Sequence, residues 1–93
     1  MLYDRKMKNL QNFIECLRKY ESGEISLEKI KAAFEGLDRF HDFWHYISDS
    51  DIREKNAEYA EMQNNELKRF ISALENKDYD LAQRITFLGN SGV

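Results

Sequence analysis

Tyr20-Glu21-Ser22-Gly23-Glu24-Ile25-Ser26-Leu27-Glu28-Lys29-Ile30 holds the end of one helix and the start of another. Gly23 can take the left-handed conformation that closes a helix, which residues with a β-carbon adopt only at a cost. Ser26 then offers a hydroxyl to the first unpaired amides of the next helix. Ile25 and Ile30 flank that cap at the two positions of a hydrophobic staple. Upstream, Tyr3, Met7, Leu10, Phe13, Ile14 and Leu17 recur at helical spacing. Downstream, Leu27, Ile30, Ala33, Phe34, Leu37, Phe40, Trp44 and Ile47 continue as a second stripe.

The rest of the chain reads the same way. It has no proline, one valine (Val93) and one threonine (Thr86). Proline breaks helix interiors and β-branched residues favour strands, so little except helix remains. Ser48-Asp49-Ser50-Asp51 marks the clearest break, because short polar side chains compete for backbone amides. Asn76-Lys77-Asp78 marks another, with Asp78 as a cap, and Asn64-Asn65 is a weak point where a helix could bend. The pattern predicts helices over roughly 3–21, 27–47, 51–75 and 79–88, closed by Gly89, and a tail over 89–93. Helices joined by short turns pack antiparallel, so the expected architecture is all-α, a single-domain four-helix antiparallel bundle. Its expected core is Leu10, Ile14, Leu17, Ile30, Phe34, Leu37, Trp44, Phe70, Ile71, Leu74 and Ile85.

Composition narrows the function classes. Ninety-three residues suit one domain, and 42% hydrophobic residues are too many for a disordered acidic chain. No run approaches the ~20 apolar residues of a membrane span. The start, Met1-Leu2-Tyr3-Asp4-Arg5-Lys6, lacks the apolar core of a secretory signal. The lone Cys16 has no partner for an intramolecular disulfide, which fits a reducing cytoplasm. A chain of net charge −3 repels polyanions, so nucleic acid is not the expected direct partner.

Catalytic chemistry finds little footing. His41 and His45 are four apart, close enough on one helix to share a metal ion, with Asp38 and Asp42 within reach. No further His or Cys pair completes a ligand shell, and His41 projects near Leu37 on the core side, where a boundary histidine is the simpler reading. Cys16 projects opposite Ile14 and has no spacing that ties a histidine to it. Gly23, Gly36, Gly89 and Gly92 are too scattered for a phosphate loop. The chain is read as a non-enzyme with no metal and no cofactor.

Charge is distributed unevenly. Residues 21–66 hold twelve of the seventeen acidic and five of the fourteen basic side chains, a local −7. This stretch contains Phe40-His41-Asp42-Phe43-Trp44-His45-Tyr46. On a continuous helix opposite Leu37, Asp38, Asp42, Phe43 and Tyr46 face or flank solvent; Asp49, Asp51, Glu54 and Glu58 follow. Exposed aromatic area rimmed by charge marks binding surfaces. These eight residues form the expected partner-binding face, its carboxylates meeting a basic protein site and Phe43 and Tyr46 acting as anchors. The alternative is a solvated face whose two rings pack under a later helix.

The length, the Tyr20–Ser26 segment leading into an amphipathic helix and the acidic helical character together resemble the small immunity proteins of the colicin D type, including those of contact-dependent inhibition systems. The resemblance implies a cytoplasmic helical bundle that binds a toxin's nuclease domain, a tRNase, and covers its cationic site with an acidic face. It carries over no binding residue individually. A small helical adaptor, or a phage-type inhibitor of another basic protein site, fits the same charge pattern. A metal-dependent enzyme would rest on His41 and His45 alone.

Overall fold

The computed structural model describes residues 2–88, with side chains from Lys8 to Leu88. Its regular elements are all helices: α1 Leu2–Glu21, α2 Leu27–Glu35, α3 Phe43–Ser48, α4 Ser50–Lys55, α5 Ala57–Glu75 and α6 Tyr79–Arg84. The all-α expectation therefore holds among the described residues. The expected helix ends at 21, 27, 75 and 79 hold too, but six helices stand where the sequence pattern suggests four. The expected tail over 89–93, Gly89 as a stop, and the side chains of Tyr3 and Met7 lie outside the described residues. The helices group into two compact units, one running to Arg39 and the other starting at Phe40.

The first unit contains α1 and α2. Gly23 ends α1 at φ 85°. The Gly23 amide donates to the Tyr20 carbonyl (3.0 Å) and the Glu24 amide to the Lys19 carbonyl (2.8 Å), the paired bonds of a Schellman motif. Ser26 takes an extended N-cap conformation, but its hydroxyl makes no capping bond. Its backbone carbonyl instead accepts from the amides of Lys29 and Ile30. Phe13, Leu17 and Ile30 are fully buried, and the Phe13 and Phe34 rings meet at 6.0 Å. Asn9 donates a side-chain hydrogen bond to the Gly36 carbonyl (3.2 Å), fastening the end of α2 to α1. Leu10, Ile14, Phe34 and Leu37 are half-buried, at the margin of the expected core rather than inside it.

The helix expected over 27–47 stops at Glu35. Gly36 is a poor helix former, and Phe40 sits at φ 61°, where a right-handed helix cannot continue. That left-handed step brings the Phe40 ring edge-on to Phe70 at 5.6 Å, with 3% of the residue exposed. The helix restarts at Phe43 in a new phase. Phe43, Tyr46 and Ile47 now turn inward, and Trp44, expected in the core, is 45% exposed.

The second unit contains α3 to α6. Only Asp49 separates α3 from α4: its amide closes α3 on the His45 carbonyl (3.0 Å), and its carbonyl opens α4 by accepting from the Arg53 amide (3.1 Å). The helix expected over 51–75 breaks at Asn56, which is extended (φ −134°, ψ 106°). The Asn56 side chain accepts from the Tyr59 amide (3.0 Å) and so caps α5. Asn64-Asn65 causes no break; α5 runs through it. Lys77, at φ 61°, closes α5 with the same bond pair that Gly23 uses: Lys77 amide to Leu74 carbonyl, Asp78 amide to Ala73 carbonyl. Asp78 caps α6 as the sequence suggests, accepting from the Leu81 amide (3.3 Å). Helix α6 ends at Arg84 rather than 88, because Ile85 is extended and Phe87 is left-handed at φ 62°.

The core of this unit is aromatic. Phe43 stacks on Phe70 (5.3 Å) and on Tyr46 (5.8 Å). Phe87 meets Phe43, Tyr46 and Phe70 edge-on at 5.5, 5.8 and 5.4 Å. Ile71, Ala73, Leu74, Ala82 and Ile85 surround these rings and are buried. Offset and edge-on pairs add about 0.5–1.5 kcal/mol each beyond the area they bury.

Candidate functional site

Beside the aromatic core of the second unit, a polar cluster is built from α4, α5 and the segment after α6. Gln63 has no exposed surface, so its amide must be satisfied internally. Its Nε2 lies within hydrogen-bond distance of Asp49 Oδ2 (3.1 Å), Tyr59 Oη (3.2 Å) and the Phe87 carbonyl (3.0 Å). Its Oε1 accepts from Arg53 Nη1 (2.6 Å), which also donates to the Tyr46 carbonyl. The Arg53 guanidinium carbon lies 3.8 Å from the Tyr46 ring centre, a cation–π contact. Tyr46 Oη donates to Asn64 Oδ1 (3.1 Å), and Tyr59 Oη donates to Asp49 Oδ2 (2.6 Å). The bond to Asp49 pushes the Tyr59 phenol up from 10.0 to about 12, helped by burial and by the carboxylate's charge and opposed by Arg53.

This cluster decides which charges remain on the surface. Arg53 is folded inward and Asp49 is half-buried and bonded by Tyr59 and Gln63, so neither projects freely from α4. Asp51, Glu54 and Lys55 on α4 are exposed, as are Glu58 and Glu61 on α5. Glu58, Glu61, Met62, Asn65, Glu66 and Arg69 line an open depression of about 380 Å³ along α5. Glu66 is buried there, held by Arg69 at 2.9 Å. From Phe40 onward the chain carries ten acidic and six basic side chains; up to Arg39 it carries seven and eight. The whole excess of negative charge thus belongs to the second unit.

The structure redistributes the eight residues of the expected face. Asp51, Glu54 and Glu58 are exposed on α4 and the first turn of α5. Asp42 is half-buried before α3, its carboxylate 3.8 Å from His45 Nε2. Asp49 belongs to the internal polar cluster. Asp38 is exposed in the first unit. Phe43 and Tyr46, expected outside as anchors, are each 1% exposed, because the break before α3 resets the helical phase. Here the alternative reading, rings packed under later elements, describes the two aromatics.

His41 lies exposed in the turn before α3 rather than on the core side of a helix, while His45 is half-buried within α3. The two imidazoles therefore do not stand on consecutive turns of one helix. Among the described residues no three His, Cys, Asp or Glu side chains are grouped as a metal site would require. Cys16 is half-buried, its Sγ 4.0 Å from Asn12 Oδ1. No described helix is long and apolar enough to cross a membrane. Gln63, Arg53 and Tyr59 are absent from the residues the sequence singles out. The signal that could find them is the pair Tyr59 and Gln63, four apart, which places two polar side chains on one face of α5.

Comparison of the chain with protein families, with curated proteins and with solved structures finds no match.

Proposed function

We propose that this chain is a non-enzymatic inhibitor that binds a basic site on another protein, its target the nuclease domain of a toxin met in the cytoplasm. The observation that carries this reading is that Asp51 and Glu54 on α4 and Glu58 and Glu61 on α5 are all exposed, while the arginine among them, Arg53, is turned inward. A face so arranged attracts Lys and Arg, speeds encounter and makes the encounter salt-sensitive. The resemblance to colicin D type immunity proteins supplies the toxin as the kind of target. The internal polar cluster serves this face by holding α4 against α5.

The test is co-expression with the protein encoded immediately upstream, followed by association kinetics across salt concentrations. The double reversal Asp51→Lys/Glu58→Lys is expected to slow association about tenfold or more at low salt and to flatten its salt dependence. An unchanged on-rate at every salt concentration, with cells still protected from the toxin, would show that these carboxylates are only solvated surface.

A further inference from the structure

Arg53 is held in one pose yet leaves part of its guanidinium unused. Its Nη1 donates to the Tyr46 carbonyl and to Gln63 Oε1 (2.6 Å), and its guanidinium carbon lies 3.8 Å from the Tyr46 ring centre. Gln63 is fixed in turn. The Asp49 carboxylate and the Phe87 carbonyl only accept, so they take the two amide hydrogens and leave the amide oxygen for Arg53. Tyr59 Oη, also near the amide nitrogen, gives its own hydrogen to Asp49. The groups that hold Arg53 (carbonyl, amide oxygen and ring face) are all neutral. Asp51 and Glu54 are close to it in sequence, but Arg53 makes no ion pair with any described residue. Its Nε and Nη2 have no hydrogen-bond partner there either, and no described side-chain nitrogen is both buried and unpartnered. The Nε–Nη2 edge therefore reaches solvent with its donors open.

We propose that the Nε–Nη2 edge of Arg53 is a preset fork for one carboxylate, an Asp or Glu that the partner protein carries within its basic surface. The inference rests on the proposed function and names a contact the target must supply. The edge presents two parallel N–H groups, the geometry that matches both oxygens of a carboxylate. A mobile surface arginine gives up rotamer freedom when it binds; this one gives it up on folding. The exposed carboxylates Asp51, Glu54, Glu58 and Glu61 attract any cationic surface. Arg53 discriminates among such surfaces, because a lysine set opposite the fork is repelled and a carboxylate is gripped. Attraction comes from the carboxylates, and selectivity from the arginine that stands between Asp51 and Glu54 in sequence.

The probes are two labelled peptides of lysine and leucine, one with a single central Asp and a twin with Asn in its place. The twin is the more cationic, so attraction alone favours it. By anisotropy, the chain is expected to bind the Asp peptide about tenfold more tightly than the twin. In nitrogen-15 spectra the Arg53 Nε–H signal should shift with the Asp peptide and stay in place with the twin. Arg53→Lys, which keeps the charge without the fork, should lose the preference and bind the twin at least as tightly. If the unaltered chain binds the twin as well as the Asp peptide, the fork is overturned and the acidic-face reading survives. The same follows if Arg53→Lys keeps the preference. If neither peptide binds, both readings are overturned. Should Arg53→Lys fail to fold, the two measurements on the unaltered chain decide.

Discussion

Gln63 shows how one buried amide ties together segments distant in sequence. It joins Asp49, Tyr59 and Arg53 to the Phe87 carbonyl, and no buried side-chain nitrogen or oxygen among the described residues lacks a partner. Gln63→Ala would strand several of those groups in a dry site and is expected to cost about 2–4 kcal/mol in denaturant unfolding. Tyr59 gives the cluster a pH signature. Its proton is held more tightly folded than unfolded, so the stabilisation is fully present below pH 10.0 and is lost as pH rises through about 12. Unfolding monitored across that window should show an alkaline loss of stability that Tyr59→Phe removes. Beyond the Tyr59–Gln63 spacing the sequence carries no sign of this cluster, because Asp49, Arg53 and Gln63 read individually as surface residues. Only the fold makes them inward-facing. Trp44 shows the converse, since its size argues for burial and its helical phase decides against it. Phe70→Ala should cost about 3–5 kcal/mol in a thermal melt, and Trp44→Ala clearly less, because 45% of Trp44 is exposed and none of Phe70 is.

At the scale of elements, punctuation was legible where one residue type had one reason to be present. Gly23 closes α1 and Asp78 caps α6 in the way their chemistry suggests. Interruptions that depend on a residue doing something uncharacteristic were not legible. Phe40, Lys77 and Phe87 all take left-handed backbone, which composition gives no reason to expect. The steps at Phe40 and Phe87 displace the expected helix ends, and the one at Phe40 also rotates the following helix and so turns Phe43 and Tyr46 inward and Trp44 outward; the step at Lys77 falls inside the expected 76–78 connection and moves neither end. The carboxylates on α4 and early α5 were less sensitive, because polar residues stay outside through a wide range of helical phase. Two substitutions separate backbone strain from packing. Open space surrounds Gly23, so Gly23→Ala tests strain alone and should cost about 1 kcal/mol by chemical denaturation. Lys77→Gly relieves the same strain and should stabilise by up to about 1 kcal/mol.

Across the whole molecule the negative excess lies in the unit that begins at Phe40, while the residues up to Arg39 carry a slight positive balance. The charge reversals proposed above fall on exposed side chains, so they should leave the melting temperature nearly unchanged while altering association. The division also has a consequence for how the chain is made. Phe43, Tyr46 and Phe70 leave the ribosome before Phe87, the ring that fits among all three and whose carbonyl meets Gln63. Until that last aromatic emerges, the nascent second unit displays an unfilled greasy recess and an unmatched amide. Such a surface is what chaperones and proteases recognise. A chain stopped after Arg84 would therefore keep that recess open to both, and the second unit is sealed only when a single phenylalanine arrives.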